Sequence, residues 1–257
     1  VVRYRCTEPD TKWAVSHVGE WTYFRRVHTP ARYSMLQNTL LGLQRRVSPQ
    51  TRRRVTGVTS ILGALLFGVA ILWQAIQDIG AGGDKVLVDI RTVVATISGG
   101  TLVVAMALLC VAALGTALSY PTATDRYWQF GVLSTVGGFA LSVVAAVGQL
   151  AFVGVAPSLV PAAGLVFGLG GLGTILGALP MGIGLWRLSD DPLMKVAAFN
   201  LAAAGPSVSN GAIFYELFAP LGAAMFIGPP VVAWLFVGAY FLLRTTDPGV
   251  SETPNVV

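Results

Sequence analysis

The sequence predicts an all-α, polytopic integral membrane protein: six transmembrane helices in a compact bundle, with N- and C-termini cytoplasmic. Three observations predict it. Residues 127–186 run for 60 positions between Arg126 and Arg187 without one Asp, Glu, Lys, Arg or His. Charged residues make up only 11% of the chain, against about 25% in a soluble domain. Arg126, Arg187 with Lys195, and Arg244 punctuate the apolar runs at alternate links, so a six-span reading places them on the same side as the arginines before span 1, with Lys85 and Arg91 in a net acidic outer loop.

The uncharged stretch sets the scale. A helix rises about 1.5 Å per residue, so roughly 20 residues cross the hydrocarbon core. Sixty residues with Pro157-Ser-Leu-Val-Pro161 at their centre therefore read as two spans and a short turn. The second of these, 160–186, carries eight glycines. In water that density opposes a helix, whereas in lipid it lets backbones approach closely. It is expected to be the central, most buried helix. Gly164 and Gly168, and Gly173 and Gly177, form two small-x3-small pairs assigned to helix packing. Leucine at Gly168 or Gly173 is expected to overpack the bundle.

Taken from the start, residues 1–34 show no period of 2 or 3.6 and no apolar core of a signal peptide. They are expected to be a disordered leader, or one preceding a true start at Met35. A short ordered cytoplasmic domain is the other reading. Residues 35–54 form a basic segment, amphipathic over 36–47, that ends in Arg45, Arg46, Arg52, Arg53 and Arg54. Residues 1–54 hold 11 Lys and Arg against 3 Asp and Glu, and the remaining chain is net acidic. With spans following directly, the five arginines read as positive-inside topology anchors rather than a nucleic-acid patch.

The membrane domain, 55–244, then alternates. Span 1 is 55–76. A glycine-marked outer loop follows, and 86–97 is a short surface helix or the tilted start of span 2, 98–119. An inner turn at 120–126 leads to span 3, 128–153, and span 4 is 160–186. The inner loop 187–195 carries Arg187, Asp190, Asp191 and Lys195. Span 5 is 194–214, an outer turn covers 216–220, and span 6 is 221–243. Arg244 marks the inner end, and 245–257 is a polar tail. Trp73, Tyr120, Trp128, Trp186, Tyr215 and Tyr240 fall near span ends, as interfacial aromatics do.

Span 5 holds the most polar intramembrane group: Asn200, Ser207, Ser209 and Asn210 around Gly205-Pro206. Proline removes a backbone donor and crowds the carbonyl four residues back, so the helix is expected to break there. Such breaks line binding sites in transporters; the alternative is a kink satisfied by its own Ser and Asn side chains. Glu216, with Gln74, Gln77 and Gln149, forms a candidate outward polar mouth. Asp190, Asp191 and Arg187 are the candidate residues of an inner-face enzyme.

Other functions are excluded by what the spans lack. Both histidines, His17 and His28, lie in the leader. No intramembrane haem, histidine-held metal or Ser–His protease is therefore expected, and no cofactor. Cys6 and Cys110 are not expected to pair. The expected partner is the bilayer of the cell membrane, with a second copy or another membrane protein as a further class and no nucleic acid. The composition predicts a small prokaryotic-type multi-pass protein in a structural, accessory or sensory role. The rival readings are a small transporter or channel built on span 5 and a membrane enzyme acting at the inner face.

Overall fold

The structure, a computed structural model, describes residues 13–18, 21–26, 31–81, 97–121, 123, 125–217 and 219–243. Strands β1 (Trp13–Val18) and β2 (Trp21–Arg26) pair antiparallel, with Val18 opposite Trp21. The rest is helical: α1 (Ala31–Arg46), α2 (Pro49–Ala81), α3 (Ile97–Ala117), α4 (Arg126–Val155), α5 (Val160–Leu188), α6 (Pro192–Leu217) and α7 (Ala219–Leu243). Within the leader, then, 13–18 and 21–26 are regular where no apolar face predicts regularity. A two-stranded ribbon needs only β-prone residues, and Trp, Val, Thr, Tyr and Phe in the two strands supply them. The surface helix expected at 86–97, Arg244 and the tail lie outside the described residues, apart from Ile97, which opens α3.

Local chemistry explains the helix boundaries. Ser48 caps α2, its Oγ accepting from Thr51 N–H at 3.1 Å, and Pro49 takes the first helical position. Helix α2 thus starts six residues before the predicted span and carries Arg52, Arg53 and Arg54 in its first turns. Arg45 and Arg46 occupy the last turn of α1, where cations suit the helix dipole. The proline-marked turn stands where the sequence puts it. The Ala156 N–H donates to Phe152 O at 2.8 Å, and one 3-10 turn over Pro157–Leu159 leads into α5.

Five helices are long and apolar enough to cross a bilayer, through Pro49–Trp73, Gly99–Ala117, Arg126–Gln149, Pro157–Leu188 and Leu221–Leu243. Helix α6 has the length, at 26 residues, but stays outside that set. Lys195, Asn200, Ser207, Ser209, Asn210 and Glu216 lower its hydropathy. The break expected at Pro206 is absent, because α6 runs as one helix through it. One missing donor costs a single hydrogen bond, and packing on α5 and α7 holds both halves in line. Helix α5 runs through Pro180 and α7 through Pro229 and Pro230 in the same way.

Each helix from α2 to α7 packs on the next, and α7 packs back on α2, so the helices close a ring in chain order. Successive helices alternate in direction. The starts of α2, α4 and α6 and the ends of α3, α5 and α7 share one end. There Thr56 meets Gly115, Gly57 meets Leu242, and Trp128 meets Gly184. A ring has no central helix, and this corrects the expectation for α5. Its window is 22% buried, against 44% for those of α3 and α4. What α5 does provide is the closest helix pairing in the molecule, with α4.

The α4–α5 seam repeats every seven residues, not every four. Gly170, Gly177 and Gly184 of α5 face Ser142, Thr135 and Trp128 of α4. In the intervening rows Gly131 and Gly138 of α4 face Met181 and Thr174 of α5. Every row thus sets one glycine against one larger residue, which lets antiparallel helices interlock at close approach. Ser142 Oγ crosses the seam to Phe167 O at 3.3 Å. The pairs read from the sequence are mostly displaced from this seam. Gly177 belongs to it and Gly164 is buried. A Cβ at Gly168 would meet nothing within 4 Å, and one at Gly173 would make ordinary contact at 3.4 Å with Gly138 Cα. Overpacking therefore belongs at Gly170, Gly177 and Gly184 rather than at Gly168 or Gly173.

Candidate functional site

The helices of the ring line a partly open cavity of about 180 Å³. All six of its helices contribute to the wall. Phe67 comes from α2, Phe139 from α4, Phe167 from α5, and Phe226 and Trp234 from α7. Helix α3 adds Leu102, Met106 and Leu109. The rings order one another, Phe67 stacking on Phe226 with centroids 6.4 Å apart and Phe139 tilted against Trp234 at 6.4 Å. No charged or amide side chain lines this wall.

Two threonines of the α4–α5 seam, Thr135 and Thr174, border the apolar lining, with their hydroxyls set against Gly177 and Gly138. Thr174 Oγ1 donates to Gly170 O, one turn back on its own helix, at 3.1 Å. Thr135 is 1% exposed, and its Oγ1 has no hydrogen-bond partner. A buried hydroxyl left unpaired costs roughly 1–3 kcal/mol, so its presence in an otherwise hydrocarbon wall is notable on energetic grounds.

The polar residues expected to form a site are not brought together here. Helix α6 turns Leu201, Ala204, Gly205 and Val208 toward the cavity. Asn200 Nδ2 donates to Val196 O at 2.9 Å and Ser209 Oγ to Gly205 O at 3.1 Å, both along their own helix. Ser207 is half-buried and Asn210 exposed, and neither lines the cavity. Gln149 is buried in α4. The side chains of Gln74, Gln77 and Glu216 lie outside the described residues, and so does any mouth they form.

At the basic end the charged residues divide among separate partners. Asp125 caps α4, its Oδ1 accepting from Trp128 N–H at 3.0 Å while Oδ2 accepts from Arg187 at 3.1 Å. Arg187 also lies over the Tyr127 ring, 4.8 Å from its centroid. Asp191 Oδ1 accepts from Leu193 N–H at 2.9 Å in the first turn of α6. Asp190 pairs with Lys195 at 3.3 Å on the open surface. The three residues of the inner-face enzyme reading thus serve two helix starts and a surface pair, and they do not converge. Among the described residues no three His, Cys, Asp or Glu side chains come together.

Tyr120 sits behind this surface, hydrogen-bonded to Ser189 and Tyr240 and edge-on to Trp128 at 5.5 Å. Burial, then the neighbouring Tyr240, push its phenol well above the usual value. Partial burial raises the Asp125 pKa, but the Trp128 amide and Arg187 outweigh it and leave the carboxyl below its ordinary value. Its contribution to stability is present above the ordinary carboxylate pKa of about 3.9 and fades as the pH falls through the lower folded value. Asp125→Ala is expected to cost about 1 kcal/mol through the lost cap. Arg187→Ala keeps the cap and loses a half-exposed ion pair and the contact with the Tyr127 ring, so it is expected to cost less. Thermal unfolding in detergent measures both, and equal losses would show that the pair rather than the cap carries the effect.

Sequence reasoning missed the cavity, the unpaired Thr135 and the Tyr120–Ser189–Tyr240 cluster. The glycine heptad was visible in the sequence as a spacing of seven. The cavity left no signal, because its rings come from positions spread from Phe67 to Trp234. Comparison with known proteins finds no matching family model, no similar curated protein and no similar solved structure.

Proposed function

We propose that this chain is a six-span protein of the cell membrane, with both termini cytoplasmic and a non-enzymatic structural, accessory or sensory role. Helices α2 to α7 are the spans. The observation that carries the count is one of parity. Helices α5 and α7 run in the same direction and finish at the same end of the ring, so the chain between them has to return through its full thickness. Helix α6 is that return, and at about 1.5 Å per residue its 26 residues suffice. Asn200 and Ser209 spend hydrogen bonds on their own helix, which lowers the cost of placing them in lipid. The arginines at the starts of α2 and α4 and the end of α5 favour the cytoplasm for that end.

The non-enzymatic part rests on the interior. A transport path for a polar solute needs polar lining at mid-membrane, and the wall described above is hydrocarbon and aromatic. Catalysis at the basic end needs converging acids and bases, and Asp125, Arg187, Asp190, Asp191 and Lys195 are engaged in separate caps and pairs.

Reporter fusions test the topology. A fusion in the Pro157–Leu159 turn is expected to read as external, and fusions after Leu188 and after Arg244 as internal; an external reading after Arg244 would refute the model. Flux in proteoliposomes tests the role. No specific transport is expected across a panel of ions and small polar solutes. Transport abolished by Asn210→Ala would establish the transporter reading in its place.

A further inference from the structure

We infer that the ring cavity is a binding site for an uncharged, flat, ring-shaped lipophile bearing a carbonyl acceptor, and that Thr135 is the residue that recognises the acceptor. The inference goes beyond the proposed role. It rests on the ring being embedded in the bilayer, where such molecules partition.

Three observations carry it. The first is size. The cavity offers about 180 Å³, and an apolar cavity of about 150 Å³ engineered in another protein stays dry and takes up benzene. A single substituted six-membered ring therefore fits. The second is shape and surface. Phe67, Phe139, Phe167, Phe226 and Trp234 surround the space from four helices. Aromatic walls favour the faces and edges of another ring over a flexible chain, because quadrupole contacts add to simple burial. An acyl chain also pays rotamer entropy on entering, which a rigid ring does not.

The third observation is the hydroxyl. Thr135 lines the cavity, is almost fully buried, and leaves Oγ1 without a partner. Its counterpart Thr174 is satisfied by the Gly170 carbonyl. Threonines in membrane helices commonly bond the carbonyl one turn back, so the empty valence of Thr135 marks a difference between the two. The hydroxyl stands against Gly177 in the α4–α5 seam; one staggered step about χ1 turns it from the seam to the cavity side, where a ligand carbonyl supplies the acceptor. A charged ligand is excluded, since no counter-charge lines the wall.

The test uses the full chain in lipid nanodiscs and three probes of graded character. Duroquinone is a ring with two carbonyls, durene is the same ring without them, and n-decane is a chain. Binding is read as a shift in thermal unfolding midpoint and as quenching of tryptophan emission by duroquinone. Duroquinone is expected to bind best, durene more weakly and decane not at all. Thr135→Val is expected to weaken duroquinone about tenfold, the worth of one hydrogen bond, and to leave durene unchanged. Ala178→Phe fills the cavity and is expected to abolish both shifts; Ala204→Leu, on the neighbouring helix α6, does the same if the first variant does not fold. Absence of any probe-dependent shift in the wild-type protein would overturn the inference and leave only a packing void. A shift with decane equal to that with duroquinone would overturn the ring preference. Equal duroquinone binding by Thr135→Val would overturn the role of that hydroxyl. Failure of the six-span topology shows in the reporter fusions and not in these shifts, so the two readings fail separately.

Discussion

Gly177→Ala is expected to destabilise the protein, while Gly168→Ala, nine residues away on the same helix, is not. A Cβ at Gly177 would stand 2.6 Å from Thr135 N, 2.6 Å from Thr135 Oγ1 and 2.8 Å from Ser134 Cβ. One of these is backbone, so relief requires α4 and α5 to separate rather than a side chain to swing aside. Overpacking of this kind costs typically about 1–3 kcal/mol. Alanine recovers up to about 1 kcal/mol of helix propensity, and because the clash is with backbone the upper part of the overpacking range applies, leaving a net loss of about 1–2 kcal/mol. At Gly168 the new methyl meets nothing within 4 Å, and only the propensity gain applies. Gly184→Ala, whose Cβ would lie 2.6 Å from Trp128 Cα, is expected to behave like Gly177→Ala. Unfolding midpoints in detergent separate the two classes. Equal behaviour at Gly168 and Gly177 would refute the seven-residue seam.

Trp128→Ala is expected to have the largest single effect, a loss of about 3 kcal/mol. Trp128 is 1% exposed and is the largest fully buried side chain among the described residues. It fills the row opposite Gly184, takes the edge of Tyr120 at 5.5 Å, and its amide carries the Asp125 cap. Truncation leaves a hole where α3, α4 and α5 meet at the basic end. The opposing residue is a glycine, which has no side chain to collapse into the space. Detergent shields some apolar surface in the unfolded state, so the lower end of the range for Trp→Ala applies. Trp128→Phe is expected to retain most of the stability. A Trp128→Ala protein as stable as wild type would show that the basic end is loosely packed.

The fold class was legible in the sequence because bilayer physics acts locally. A run of uncharged residues must be helical in lipid whatever its neighbours are, since each backbone group has to be satisfied within its own segment. The stretch 127–186, its proline turn and the alternation of basic links needed no tertiary information. The α2–α7 boundaries follow the predicted spans closely where they are described. Helix α2 departs because Ser48-Pro49 is a helix start that a hydropathy argument does not read.

The choice of period was not legible. Eight glycines on one helix offer pairs four apart and triplets seven apart. Which set faces α4 depends on the crossing geometry of two antiparallel helices, a property of the pair. The fate of α6 was misjudged for a similar reason. Pro206 weakens one hydrogen bond locally, but α5 and α7 decide whether the helix breaks. Asn200 and Ser209 turned to their own backbone, and the apolar Leu201, Ala204 and Val208 faced inward.

What the sequence by itself determined, then, is that the chain is helical, apolar and multi-pass, because hydrophobic length and charge are properties of a segment. Only the tertiary structure decided that the helices close into a ring, that α5 is a seam rather than a centre, and that five aromatic rings line one cavity beside Thr135. Those depend on residues from Phe67 to Trp234 meeting in space. No local pattern encodes such a meeting, because each ring satisfies the same apolar requirement whether it faces lipid, a neighbouring helix or a cavity.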